Sequence, residues 1–340
     1  MNLLMIGGTR FVGRHLVDAA LAAGHDVTLF NRGLSDASVR PGVTPLRGDR
    51  RQDLSALQHG EWDAVIDTCG YLPSEVQAMA KLLKGRARRY AFISSISAYA
   101  SFTASNAENS ALAAMYGPEP DQADASLYGP LKAGCEHAVT QAYGERALLI
   151  RPGLIVGPGD PTGRFTWWPA RLARATAGEP VLAPGLASAP VQFIDVRDLV
   201  AFVLQALASG RGGAYNVVAP PEACTFGDLL DTCARVAGVS PQWVWASSDW
   251  LQAQDVAPWM EMPLWLPPDG EHAMFMQIDT RRAQAAGLHI RPVADTVRDT
   301  LGWWRSLPAD RQAFDATGLP AAREQALLAQ WLSQPLSVPG

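Results

Sequence analysis

Tyr128-Gly129-Pro130-Leu131-Lys132 sets a phenol and an ammonium four residues apart, a spacing that puts both on one face of a helix. Pro130 is tolerated because it falls in the first helical turn. A phenol titrates near about 10, so an adjacent ammonium that favours the phenolate is expected to bring that value down and make the pair a general acid–base. Upstream, Phe92-Ile93-Ser94-Ser95-Ile96-Ser97-Ala98-Tyr99 reads as a strand running into serines. Near the start, Gly7-Gly8-Thr9-Arg10-Phe11-Val12-Gly13 separates an apolar run from a helical pattern. Gly7 permits a tight turn, Gly13 lets helix and strand pack closely, and the free N–H groups of the helix start can face a pyrophosphate.

These residues need a scaffold that delivers them to one edge, and the first half of the chain spells one out. Leu3-Leu4-Met5-Ile6 has the unbroken apolar character of a strand buried on both faces. Val12, Leu16, Ala20 and Ala23 recur at helical spacing before a stop at Gly24, and Val27 to Phe30 is a second strand. The result is a βαβ unit with a right-handed crossover. The alternation continues through 44–46, 64–66, a helix at 74–83 and a strand at 90–93, which predicts an α/β, Rossmann-type doubly wound parallel sheet with a smaller C-terminal substrate-binding lobe. Residues 1–160 are assigned to the dinucleotide-binding domain, with 190–220 and part of 275–305 returning to it. Residues 161–189 and 221–335 are assigned to a substrate lobe or lid, and 336–340 to a frayed tail.

The motifs together resemble the short-chain dehydrogenase/reductase superfamily, in its extended and atypical branch, the NAD-dependent epimerase/dehydratase family. The Arg-centred glycine motif is similar to that of a subgroup of reductase-like members that also includes chloroplast stem-loop RNA-binding proteins. The resemblance implies a catalytic set of Ser95, Tyr128 and Lys132, with Ser95 identified as the serine four residues before Tyr99. Ser95 would hydrogen-bond the substrate oxygen, Tyr128 would exchange its proton, and Lys132 would also reach the nicotinamide ribose. The cofactor would run along Gly7, Thr9, Arg10, Phe11, Val12 and Gly13, then Asp49 and Arg50, then Thr68, Cys69, Gly70, Pro152 and Gly153. Where an NAD site carries an acidic residue at the second strand's tip, this chain has Asn31-Arg32. A carboxylate repels a 2′-phosphate and a guanidinium attracts it, so NADP(H) is favoured, with NAD(H) as the alternative.

Departures from the family pattern narrow the chemistry. Ile96 and Ser97 stand where the family's dehydratases carry acidic residues. Leu154 and Val191 replace the Asn and Arg that serve nucleotide-sugar substrates in the motifs resembled by Arg151-Pro152-Gly153-Leu154-Ile155-Val156-Gly157-Pro158 and Val191-Gln192-Phe193-Ile194-Asp195. The expected activity is therefore carbonyl reduction of a small, weakly charged substrate, aromatic or sugar-like. The alternatives are a nucleotide-sugar epimerase and a non-catalytic RNA- or ligand-binding relative.

Ten of eleven tryptophans follow residue 160, so substrate contacts are expected there: Trp167, Trp168, Trp259 and Trp265, together with Ser97. Trp303, Trp304 and Trp331 are assigned to packing. At 48% hydrophobic, 18% charged and a net charge of −5, the chain can bury enough surface to fold and lacks the cationic surface of a nucleic-acid binder. Its longest apolar run is too short for a bilayer, and a cytoplasmic location, a monomer or homodimer, and no nucleic-acid or membrane partner are expected. The four cysteines and six histidines form no ligand pattern, so no metal is expected.

Overall fold

The computed structural model describes residues 1–34 and 40–333; the tail at 336–340 lies outside them. The chain divides into two compact units. The first comprises residues 1–155, 193–220 and 278–290, and the second 156–192, 221–277 and 291–340.

In the first unit the chain runs β1 (Asn2–Ile6), α1 (Phe11–Ala22), β2 (Asp26–Asn31), β3 (Val43–Arg47), β4 (Trp62–Asp67), α2 (Pro73–Leu83), β5 (Ala87–Ile93), α3 (Tyr128–Tyr143) and β6 (Ala147–Pro152). It is completed by α4 (Val196–Ala208), β7 (Gly213–Val217) and α5 (Arg281–Ala285). The seven strands form one parallel sheet in the order β7-β6-β5-β4-β1-β2-β3. The order reverses between β1 and β4, the point at which open parallel sheets leave a crevice at their carboxyl ends.

β1 shows why these segments read as unbroken apolar runs. Leu3 and Met5 enter the core on one face with Leu16, Val17 and Val203, while Leu4 and Ile6 enter the opposite core with Val76, Met79 and Val139. Alternate side chains point to opposite faces, and both faces are covered. Register then aligns the strand tips: Ile6 pairs with Phe30 and Asp67, Asp67 with Phe92, and Ile93 with Ile150. Gly7, Asn31, Thr68 and Ser94 therefore all follow at one edge.

The second unit holds a two-stranded parallel sheet, Pro180–Pro184 with Gln242–Ala246. Its helices include Trp167–Ala173, Phe226–Ala237, Val293–Ser306 and Ala321–Leu332. The helix at 226–237 is closed at both ends, by a Thr225/Asp228 capping box and by Gly238 in the left-handed region. Segment 255–264 is irregular, and Asp255, Trp259 and Leu264 adopt positive φ. Among the described residues, no helix is long and apolar enough to cross a membrane.

Candidate active site

At the end of β1, Gly7 and Gly8 have φ of +97° and +77°, which L side chains rarely adopt. A Cβ on Gly13 would stand 2.5 Å from the Gly8 Cα, so α1 lies against the turn only because residue 13 has no side chain. Arg10 precedes α1 without any side-chain cap on the helix, and no acidic residue occupies its first turn. The helix's positive end and orphan amides are thus left for an anion. The turn is the cradle a dinucleotide pyrophosphate requires.

Beside it, the tip of β2 is more cationic than the sequence implied. Asn31 accepts from the Gly33 amide at 2.8 Å and from the guanidinium of Arg47, its partner in register on β3. Arg47 also lies over Gly33, where a Cβ would be 3.2 Å from the guanidinium. Arg10, Arg32 and Arg47 are all exposed. Arg47 is a site residue that sequence reasoning missed, because strand pairing, not proximity along the chain, brings it to Asn31.

Asp49 and Arg50 behave differently. Asp49 closes its own turn by accepting from the Arg51 amide at 2.9 Å. Arg50 forks onto Asp67 with two 3.0 Å bonds and lies 3.3 Å from Glu75. Asp67, fully buried, also accepts from Tyr90 Oη at 2.8 Å and from the Cys69 amide at 3.1 Å. Burial pushes its carboxyl up, but the charge and hydrogen bonds of Arg50 outweigh that and hold it below its usual range. Arg50 is therefore committed to the buried scaffold beneath the β4 tip. Thr68 Oγ1 donates to the Ile6 carbonyl at 2.9 Å and ties β4 to β1. Pro152 ends β6, and Gly153 follows it against Val218.

Ser95, Tyr128 and Lys132 come together above β4 and β5. Ser95 caps the short helical turn 96–98, its Oγ accepting from the Ser97 amide at 3.0 Å, and its side chain is near enough to the Tyr128 phenol to favour the ionised form. Gly129 makes this approach feasible, since a Cβ there would collide with the Ser97 carbonyl oxygen. Gly134, further along α3, allows a similar close approach to Pro73 of α2. Lys132 is buried, with Nζ donating to the carbonyls of Ile93 at 2.8 Å and Gly70 at 3.0 Å. Its ammonium stands 4.6 Å from the Phe92 ring centroid, 5.2 Å from that of Tyr71 and 5.9 Å from that of Tyr128. Tyr71, immediately after the predicted Thr68-Cys69-Gly70 tip, is a further site aromatic; its position after a strand end was the available signal.

One expectation is overturned by the geometry. The phenol of Tyr128 is not lowered but pushed up to about 12, chiefly by burial and by the neighbouring Tyr71, with the Ser95 side chain opposing. The Lys132 ammonium points at carbonyls and is itself lowered to about 8 by burial. Tyr128 is thus a protonated acid across the neutral range, with a titrating lysine beside it.

A buried polar network anchors α3 from behind. Arg151 on β6 binds Glu136 through Nη2 at 2.6 Å and Nε at 2.9 Å, and reaches Tyr99 Oη at 3.0 Å. Tyr99 Oη donates to Asn216 Oδ1 of β7 at 2.7 Å. The strand-end tyrosine is therefore a strut between β6, β7 and the turn that carries Ser95.

The tryptophans are placed within the second unit. Trp168 is fully buried, edge-on to Trp167 at 4.6 Å and Phe226 at 5.6 Å, and its Nε1 donates to the Pro263 carbonyl. Trp167 and Trp265 are also buried, the latter donating to Ser248 Oγ. Of the four expected substrate contacts on tryptophan, Trp259 alone is half-buried.

Comparison with known proteins agrees with this construction. The family model described as the NAD dependent epimerase/dehydratase family matches residues 64–218. A chloroplast stem-loop binding protein of 41 kDa from Arabidopsis thaliana is 28% identical over 257 residues, covering 70% of this chain and 63% of its own length. A 2′-dehydrokanamycin reductase from Streptomyces kanamyceticus is 28% identical over 218 residues, 62% of this chain and 59% of its own. The chain thus spans less than two thirds of either relative. Two solved structures share the fold. A UDP-glucuronic acid 4-epimerase from Bacillus cereus in complex with NAD has a TM-score of 0.62 at 15% identity, covering 89% of this chain and 96% of its own. The human epimerase family protein SDR39U1 with NADPH has a TM-score of 0.59 at 20% identity, covering 89% and 99%. In its glycine turn, its parallel sheet and the family model matched over residues 64–218, the chain is similar to the NAD-dependent epimerase/dehydratase family.

Proposed function

We propose that this protein is an NADP(H)-dependent oxidoreductase that reduces the carbonyl of a small, weakly charged substrate, using Ser95, Tyr128 and Lys132. The observation that carries the reading is the meeting of Ser95, Tyr128 and Lys132 at the carboxyl edge of the sheet, with the Lys132 ammonium 5.9 Å from the Tyr128 ring centroid. Protonated across the neutral range, Tyr128 carries the proton that reduction of a carbonyl consumes; its rise to about 12 makes it a weaker acid than a free phenol, so transfer would depend on the positive charge of Lys132 favouring the phenolate. Ser95, beside that phenol, would orient the same oxygen. Lys132 would hold positive charge beneath the site and be the group from which the phenol is re-protonated.

The residues present fit a nicotinamide dinucleotide. Gly7, Gly8 and Gly13 leave the space its pyrophosphate needs, Thr9 to Val12 open the helix, Arg32 and Arg47 would hold a 2′-phosphate, and Lys132 would hold the nicotinamide ribose. Bound there, it would supply the hydride. The NADPH-bound human structure and the arginines at the β2 tip support NADP(H); the NAD-bound epimerase keeps NAD(H) as the alternative. The reductase from Streptomyces kanamyceticus supports reduction. The test is turnover of a panel of ketones and aldehydes with NADPH. Tyr128→Phe should abolish turnover while cofactor affinity stays within twofold, and undiminished turnover in that variant would sink the assignment.

A nucleotide-sugar epimerase is the second reading, supported by the family model and the epimerase fold neighbour. It requires tightly retained NAD and binding of a nucleoside diphosphate, so purified protein lacking both is expected under the reductase reading. The chloroplast relative raises a third, RNA binding, which retention of a stem-loop at moderate salt would favour.

A further inference from the structure

Arg164 is an anomaly among the arginines of the second unit. Arg171 meets Glu324 at 2.7 Å and Glu179 at 2.8 Å, and Arg323 meets Glu261 at 3.1 Å and the Asp255 carbonyl at 2.9 Å. Arg164 is half-buried, its Nε is buried without a hydrogen-bond partner, and Nη2 reaches only the Met260 thioether at 3.7 Å. Asp160 acts on it through charge but makes no ion pair with it. Asp160 is spent on Thr162, accepting from its amide at 2.8 Å and its hydroxyl at 3.1 Å, and burial raises its carboxyl to about 6. Burial likewise lowers the Arg164 guanidinium. A desolvated cation with unused donors is costly unless something answers it.

What stands beside it is a flat apolar wall. The guanidinium lies 5.6 Å from the Trp259 ring, and that ring is edge-packed on Phe275 at 5.5 Å. Trp259 is held at φ +66° and Leu264 at φ +68°, a conformation that bulky side chains keep only where surrounding structure imposes it. The Trp259 amide is pinned to the Trp265 carbonyl at 3.0 Å. The indole beside the guanidinium thus sits on backbone fixed in an uncommon conformation.

The geometry points to an oxyanion subsite, in which Arg164 binds a carboxylate or phosphate of a small molecule whose flat apolar body rests on Trp259. The subsite lies within the second unit, and its ligand is one bearing a single anionic group. Such a group needs one guanidinium fork, whereas a nucleoside diphosphate would need the arginine that Val191 replaces.

Binding separates the subsite from the reductase reading, because it needs no turnover. Phenyl phosphate and benzoate are titrated calorimetrically into the full-length protein, with and without NADPH. At least one probe should bind, and Arg164→Met should weaken it tenfold or more without lowering Tm, since methionine removes a half-buried charge that no ion pair holds. Arg164→Lys, which keeps the charge and loses the fork, should fall between. The stronger probe identifies the oxyanion as phosphate or carboxylate. If neither probe binds, or Arg164→Met binds them as the parent does, the subsite is overturned. Arg164-dependent binding in a protein that ignores NADPH would sink the reductase reading and leave the subsite standing.

Discussion

The first unit fills its interior with aliphatic strands, Leu3, Leu4, Met5 and Ile6 among them, and places its polar residues at the strand ends. The second fills its interior with indoles, burying Trp167, Trp168, Trp265 and Trp304 around short helices and a two-stranded sheet. A sheet of seven strands satisfies its own backbone and needs only side chains that alternate; a lobe with little sheet has fewer such bonds to rely on. Large rings, whose N–H groups reach loop carbonyls and hydroxyls as Trp168 and Trp265 do, can bridge irregular chain. The contrast teaches that tryptophan enrichment here is first a way of building the second unit, and only at Trp259 a candidate for contact with ligand.

Substitutions that separate chemistry from packing sharpen this contrast. The largest effect should come from Tyr128→Phe: a loss of about 10²- to 10⁴-fold in kcat, with Tm and cofactor affinity close to the parent. Trp168→Leu should do the opposite, costing about 2–4 kcal/mol of stability in denaturant titrations while leaving NADPH affinity unaltered. Equal damage to both properties by either variant would break the division. Next comes the β2 tip. Replacing Arg32 and Arg47 together by Gln should weaken NADPH about tenfold or more, the scale of losing charge-assisted bonds, and leave NADH nearly unchanged, read by comparing the two titrations.

Smaller effects appear in pH dependence. Burial lowers Lys132 to about 8 from an ordinary value of 10.5, so kcat/KM should fall as pH rises through about 8, and Lys132→Arg should move that limb upward. Its contribution to stability runs the other way. The native state binds fewer protons than the unfolded chain between those two values, so stability gains with pH across that window. Asp160, raised from 3.8 to about 6, holds its proton longer when folded, and its contribution is lost as pH rises from about 4 to 6. Asp160→Asn keeps an acceptor for Thr162 and should raise Tm slightly at pH 7 and not at pH 4.

Much of the first unit was legible in the sequence because its signals are local. Leu3 to Ile6, the glycine turn and Tyr128/Lys132 each sit within a few consecutive residues, and register carries their ends to one edge. What was not legible depends on pairings far apart in the chain. Arg47 meets Asn31 across a strand pair, Arg50 is drawn to Asp67 seventeen residues away, and Tyr99 meets Asn216 at a separation of 117. The direction of the Tyr128 shift was misjudged for the same reason: residue types name a phenol and an ammonium, but only folding shows the ammonium turned toward Gly70 and Ile93. Segment 259–267 offered no periodicity, so nothing in it distinguished interior tryptophans from a half-buried one.

The division of the chain carries a consequence for its synthesis. Each unit is made of three segments that alternate, so the backbone passes between units five times. β7, which completes the sheet against β6, comes from residues 213–217, and the segment 278–290 supplies Asp279, whose carbonyl accepts from Asn216. On a ribosome the sheet that begins with residue 2 cannot gain its seventh strand until residue 217 has emerged, at ~5–20 residues per second. For that interval the β6 edge and the apolar faces beside it stand open, which makes this a nascent chain for which chaperone engagement is expected before the first unit is complete.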